Sequence, residues 1–219
     1  VILKARQMGF TEVVSAFITW LVLFHPNQNV LCLATKAGTA QEVIRRGRTA
    51  LKKLPSWLLI ADLTVDNRMS LELGNGSIVK SSTKSGDAGR SAALSLLVVD
   101  EAAHIVGFDS IWTGIRPTVS AGGRIIMMST PLGVGNVFEK TYMDADAKRN
   151  DFNPICVMWY EHPEHISDLS IDEKTGRHTS SWFRSETKGM SQREIAQEYE
   201  CSFDAAILAE GETASEFSP

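Results

Sequence analysis

Apolar residues occur along this chain in two forms: short unbroken runs, and longer stretches in which they recur every three or four positions. Val1-Ile2-Leu3 opens a strand over residues 1–4. The turn Gln7-Met8-Gly9 then leads into a helix over residues 11–24, which Pro26 ends. The apolar run 13–24 is broken only by Ser15 and Thr19. It falls short of the ~20 residues that cross a bilayer, so it reads as a buried helix. Asn29-Val30-Leu31-Cys32-Leu33-Ala34 is a second strand. Residues 39–54 form an amphipathic helix with Val43, Ala50 and Leu54 on its apolar face, closed by Pro55. Residues 70–73 and 77–80 alternate and flank Gly74-Asn75-Gly76, a hairpin signal.

Residues 94–99 are almost purely apolar and stop abruptly at Asp100-Glu101. Residues 124–130 repeat the form, ending in Ser129-Thr130 before Pro131. Runs without alternation suit central strands of a parallel sheet covered on both faces, with helices as right-handed crossovers. Residues 155–160 complete the strands. After His162 the chain is polar and loop-like until Ser191-Gln192-Arg193-Glu194, a capping box, opens a helix. Residues 209–219 read as a linker or frayed tail. The class is α/β, without internal repeats. A strand at residue 1 with nothing before it predicts a piece of a longer protein.

The 219 residues, 43% hydrophobic and 22% charged, exclude a disordered or fibrous chain. A chain of this size buries roughly 70% of its extended surface without staples. Cys32, Cys156 and Cys201 lie far apart, which argues against a zinc site and a secreted disulfide scaffold. The net charge of −4 conceals an asymmetry: residues from 186 onward carry −6 and residues 1–185 carry +2. Lys36, Arg45, Arg46, Arg48, Lys52 and Lys53 oppose only Glu42 within their segment. They form either a phosphate-facing strip or, the favoured reading, a solvated basic helix face. No secretory signal is present, and no membrane association is expected.

Candidate chemistry gathers at three strand ends, where open parallel sheets collect ligands. Lys4-Ala5-Arg6-Gln7-Met8-Gly9-Phe10-Thr11 approximates a phosphate-binding loop. Gly9 and Thr11 stand where its second glycine and hydroxyl belong, Lys4 takes the first glycine's place, and Phe10 replaces the usual lysine. Gly9 allows close backbone approach, Thr11 offers a magnesium ligand at a helix start, and Lys4 or Arg6 can supply the displaced cation. At the second end, two adjacent carboxylates are costly at a buried strand tip without a partner. Asp100 would hold a metal through its water shell, and Glu101 would orient an attacking water, unless the pair merely caps a helix. At the third, Ser129 and Thr130 fit a reporter of nucleotide state. Arg90, in Gly89-Arg90-Ser91, is a candidate arginine finger.

Together, residues 4–11, Leu-Leu-Val-Val-Asp-Glu-Ala at 96–102 and Met-Ser-Thr-Pro at 128–131 resemble the ATPase domain of the large terminase subunit of tailed bacteriophages. They match its deviant Walker A, Walker B and coupling motifs, and residues 197–203 resemble the segment that precedes its nuclease domain. The resemblance implies a P-loop NTPase of the ASCE, RecA-like type. Its mostly parallel sheet is flanked by helices: a core over 1–149, a small lid over 150–204 and a flexible tail over 205–219. It implies ATP and Mg2+ as cofactors, with Lys4, Ala5, Arg6, Gln7, Met8, Gly9, Phe10, Thr11, Ser129 and Thr130 at the nucleotide and Thr11 and Asp100 at the metal. Glu101, Arg6 and Arg90 would be catalytic. Double-stranded DNA, a portal, a small terminase subunit and a homo-oligomeric ring would be the partners, in host cytoplasm and transiently on a procapsid. The upstream adenine-contacting segment and the nuclease domain are not in the sequence, so this chain is expected not to cut DNA. A superfamily 2 translocase, a nucleotide-binding scaffold without hydrolysis, and a purely structural α/β domain are the competing readings.

Overall fold

The computed structural model describes residues 1–82, 93–119, 122–173 and 175–204. In chain order these form β1 (Ile2–Lys4), α1 (Phe10–Phe24), β2 (Asn29–Leu33), α2 (Ala37–Lys53), β3 (Leu63–Asp66), β4 (Ser70–Leu73), β5 (Ile78–Ser82) and β6 (Leu96–Asp100). There follow α3 (Phe108–Val119), β7 (Arg124–Ser129), α4 (Val137–Asp146), β8 (Ile155–Val157), β9 (Ser170–Ile171), β10 (His178–Thr179), α5 (Ser181–Glu186) and α6 (Gln192–Glu198). The chain divides into two compact units. Residues 9–128 form one; residues 1–8 with 129–219 form the other. Among the described residues no helix is long and apolar enough to cross a membrane.

In the unit of residues 9–128 the strand order is β3-β4-β5-β2-β6-β7. β5, β2, β6 and β7 run parallel, and β3-β4-β5 form an antiparallel edge. The unbroken apolar runs are the central strands: Leu96, Leu97, Val98 and Val99 are each at most 1% exposed. α1 is buried along Val14, Ile18, Leu21, Val22 and Leu23, while Val13 and Trp20 face outward. Its buried hydroxyls do not disrupt it, because they bond back into the helix: Ser15 Oγ donates to the Thr11 carbonyl at 2.6 Å, and Thr19 Oγ1 to that of Ser15 at 2.8 Å.

The hairpin does more than turn. Asn75 Nδ2 donates to the Val22 and Leu23 carbonyls at 2.8 and 3.3 Å, satisfying acceptors that the end of α1 leaves open. Ser77 Oγ donates to the His25 carbonyl at 3.0 Å. The core face of α2 is Ala40, Val43, Ile44, Gly47 and Leu51; Ala50 and Leu54 are only half-buried, which corrects the expected face. A helix turning 100° per residue places 40, 44, 47 and 51 on one stripe and leaves 50 at its margin. The basic strip is met by acids. Arg45 and Arg46 pair with Glu42, Arg46 also with Glu12 of α1, and Arg48 and Lys52 with Asp66 of β3.

In the other unit β1 pairs in parallel with β8 (Leu3 opposite Cys156), and β9 pairs with β10. The expected strand 155–160 stops at Val157. Trp159–Glu161 is a single 3-10 turn that carries Trp159 inward, 2% exposed, onto Phe183 at 4.4 Å. The segment after His162, expected to be loop, instead builds β9, β10 and α5, organised around aromatic side chains. The ring of His165 lies 3.5 Å from that of Trp182, and Tyr199 closes the cluster against Trp182 and Phe183. Ser191 caps α6 and exchanges bonds with Glu194, as the capping box predicts.

Packing around the glycines and the burial of one histidine each generate a prediction. A Cβ at Gly123 would lie 2.2 Å from the Leu94 carbonyl oxygen and 2.8 Å from Val119 Cγ1, whereas one at Gly47 meets only ordinary contacts at 3.5 Å. Gly123→Ala should cost about 1–3 kcal/mol in urea unfolding, and Gly47→Ala should be neutral or stabilising by up to ~1 kcal/mol. His165 is buried, which holds its pKa below the ordinary 6.5. Its Nδ1 faces the Trp159 carbonyl at 3.2 Å and, since a carbonyl only accepts, carries the proton. The unfolded chain binds a second proton more readily, so the contribution is complete above pH 6.5 and is lost as pH falls below it. Melting temperature should decline from about pH 7 to about pH 5, and less so in His165→Gln.

Candidate functional site

The site in the 9–128 unit is built where α1 starts and β6 stops. Gly9 caps α1 with φ 72° and ψ 8°, left-handed geometry that an L side chain resists, and open space lies where its Cβ would be. The carbonyl of Gly9 accepts from Glu12 N at 2.9 Å and Val13 N at 3.3 Å. The first-turn amides therefore precede the helix ladder and present the positive end of the helix dipole. Thr11, half-buried in that turn, donates from Oγ1 to Asp100 Oδ2 at 3.2 Å.

Asp100 is the last residue of β6 and is 3% exposed; its Oδ1 accepts from Glu101 N at 3.0 Å. Glu101 turns the chain out of the sheet with φ 51° and ψ 46°, a left-handed conformation uncommon for a non-glycine residue, and caps the 3-10 turn Ala102–His104. On the neighbouring strand β2 the Cys32 thiol is pushed up to about 12, chiefly by burial and also by the charge of Asp100. One carboxylate and one hydroxyl at the positive end of a helix are hard oxygen donors. They suit Mg2+, which keeps several waters and takes its other ligands from phosphate oxygens. Among the described residues no group of three or more His, Cys, Asp or Glu side chains could form an all-protein metal cage.

The remaining expected site residues belong mostly to the other unit. Lys4, at the end of β1, is 6% exposed, Ala5 is fully buried, and Arg6 and Gln7 are exposed, Gln7 with φ 61°. Ala5 N donates to the Val157 carbonyl at 2.9 Å and Arg6 N to that of Glu198 at 2.7 Å. Gln7 Nε2 reaches Glu186 Oε1 at 3.4 Å, which the Tyr199 hydroxyl also approaches at 3.4 Å. Met8 is half-buried, as is Phe10 at the start of α1. Ser129 and Thr130 are buried at and just past the tip of β7. Arg90 lies outside the described residues. Sequence reasoning missed the support that Glu186 and Glu198 give this loop. No local pattern announces a contact across nearly the whole length of the chain.

Known proteins share this fold. Residues 1–215 match the family model described as terminase large subunit, T4likevirus-type, N-terminal. The large terminase ATPase domain of Thermus phage P74-26 superposes with a TM-score of 0.74 at 19% identity, covering 93% of this chain and 87% of that one. The large terminase of another thermophilic bacteriophage, in complex with ADP, gives 0.65 at 12% identity, covering 92% and 48%; the ATP-gamma-S complex of the same protein gives 0.65 at 13%, covering 92% and 47%. The HK97 large terminase gives 0.58 at 16%, covering 97% and 43%. At these identities the likeness carries the fold, a mostly parallel mixed sheet flanked by helices of the RecA-like type. This chain spans less than half the length of the nucleotide-bound relative and of the HK97 protein. The family match decides against the superfamily 2 and purely structural readings, and this chain belongs to the terminase large-subunit family, over its N-terminal region.

Proposed function

We propose that this chain is a magnesium-dependent ATP-hydrolysing motor domain that drives double-stranded DNA into a procapsid. The observation that carries the reading is the hydrogen bond from Thr11, in the first turn of α1, to Asp100, at the tip of β6. It joins the hydroxyl and the carboxylate that a nucleotide-bound magnesium needs. The ADP and ATP-gamma-S complexes of the thermophilic-phage relative support a nucleotide as the ligand.

In this reading the first-turn amides behind Gly9 face phosphate oxygens, and Thr11 and Asp100 would hold the metal, which supplies charge neutralisation on the phosphates. Glu101 orients the attacking water and accepts its proton. Lys4 and Arg6, at the front of the loop, take over from the lysine that Phe10 displaces, and Ala5, Gln7 and Met8 contribute backbone. Ser129 and Thr130 pass the nucleotide state onward to a lid over 150–204, and Arg90 acts as the finger, in a ring of copies docked on a portal with a small subunit. The setting is host cytoplasm, with transient attachment to the procapsid. A scaffold that binds nucleotide without hydrolysis is the second reading, favoured by Phe10 alone.

Phosphate release with and without duplex DNA separates the two, since a pure binder gains melting temperature from Mg-ATP but releases nothing. Glu101→Gln should lower turnover by about 10²–10⁴-fold with nucleotide affinity retained; normal hydrolysis by that variant would refute the assignment. Arg90→Ala should lose about 10³-fold or more in turnover with binding spared. Lys4→Ala and Arg6→Ala, compared by nucleotide titration, identify the compensating cation: the variant with the larger loss of affinity names it.

A further inference from the structure

The unit of residues 9–128 has a second concavity, at the end of β6 remote from Asp100. It lies where α1 stops and where β2, β6 and β7 begin. Its volume is about 460 Å³, and its walls include Trp20, His25, Gln28, Ser95, Gly123 and Arg124. Trp20 is 47% exposed; its ring centre lies 5.7 Å from that of Phe17 and 4.9 Å from that of His25, the latter pair T-shaped. Arg124 is exposed and forms no ion pair among the described residues, and no carboxylate lines the cavity.

The backbone of this cavity is already paired. The Ala93 carbonyl accepts from Asn29 Nδ2 at 3.0 Å, and Leu94 N donates to the Thr118 carbonyl at 3.0 Å. Ser95 N donates to the Asn29 carbonyl at 2.9 Å, Arg124 N to that of Ser95 at 2.9 Å and Gly123 N to that of Val119 at 3.0 Å. An extended peptide docks by pairing its main chain with free main-chain groups, so these walls do not suit one. A helix C-terminus ordinarily repels an anion through its open carbonyls. Here the Leu21 carbonyl accepts from His25 N, those of Val22 and Leu23 from Asn75, and that of His25 from Ser77 Oγ. Recognition is left to side chains: an indole, an imidazole, an amide and an unpaired guanidinium.

We infer that this cavity binds a nucleobase carrying a phosphate, with the base stacked on Trp20 and the phosphate held by the fork of Arg124. Stacking on an exposed aromatic ring accepts any base, and a guanidinium matches two phosphate oxygens at once. The His25 ring and the Gln28 amide are the polar groups placed to meet the edge of the base or its sugar. The volume falls within the ~300–1,000 Å³ of small-molecule sites. A free mononucleotide and the phosphorylated end of a DNA strand present this same chemistry. The site uses neither Thr11 nor Asp100 and needs no metal, so it stands apart from the motor reading.

The test follows the indole N–H signals of the five tryptophans by NMR on the whole chain, with Trp20 assigned from Trp20→Phe. Thymidine 5′-monophosphate is titrated in the presence of EDTA. The expected result is a saturable shift of the Trp20 signal that persists in Thr11→Val, where the magnesium-dependent site is impaired. Arg124→Ala, shown folded by circular dichroism, should weaken binding about 10–100-fold. Trp20→Ala, followed by calorimetry, should weaken it about 5–100-fold. Thymidine and inorganic phosphate should each bind at least about tenfold more weakly than the nucleotide. A 5′-phosphorylated oligothymidylate distinguishes the sources: tighter binding than the mononucleotide assigns a strand end, and equal or weaker binding assigns the free nucleotide. An unmoved Trp20 signal overturns the proposal, as does a shift that Arg124→Ala leaves intact, or inorganic phosphate binding as tightly as the nucleotide.

Discussion

A carboxylate is withdrawn from water at the tip of a strand that is otherwise wholly apolar, and the candidate site depends on how that charge is accommodated. β6 contributes Leu96 to Val99 to the core and then Asp100, 3% exposed. Burial of an ionised carboxylate is tolerable only when hydrogen bonds, or a cation, replace its hydration. The bonds from Thr11 and from the amide of Glu101 supply part of that replacement, one to each oxygen. They also fix the distance between the start of α1 and the end of β6. The same interaction thus orders the local fold and, in the proposed reading, brings together the two oxygens that would hold a divalent cation.

Much of this was legible in the sequence. The unbroken runs at 29–34, 94–99 and 124–130 identify the parallel strands because a strand covered on both faces has no polar side to alternate with. Asp100, Glu101, Gly9 and Thr11 stood out because each is unusual in its setting. What the sequence concealed depends on contacts distant along the chain. α5 and the β9-β10 ribbon carry polar residues on most positions, and their order comes from Trp159, His165, Trp182 and Tyr199, scattered residues whose convergence has no period. The Asn75 cap on α1 was hidden for the same reason: Gly-Asn-Gly signals a turn, but not what the turn touches.

Electrostatics followed a similar logic. Six cations against one acid in a single segment suggest a basic surface, yet Glu12 and Asp66 arrive from other elements and pair with Arg46, Arg48 and Lys52. Exposed pairs of this kind add little stability and are screened by salt. Their effect is to reduce the positive field that this face of α2 can project toward a polyanion. Charge counted along a segment overstates what a folded surface offers.

α1 is held at both extremities: by Gly9 and the Thr11–Asp100 bond where it begins, and by the Asn75 amide where it finishes. Its 15 residues make a nearly rigid rod about 22 Å long. A rod clasped at each tip transmits axial thrust instead of bending. The two clasps thereby tie the turn between β4 and β5 to the strand tip that carries Asp100, through the length of one helix.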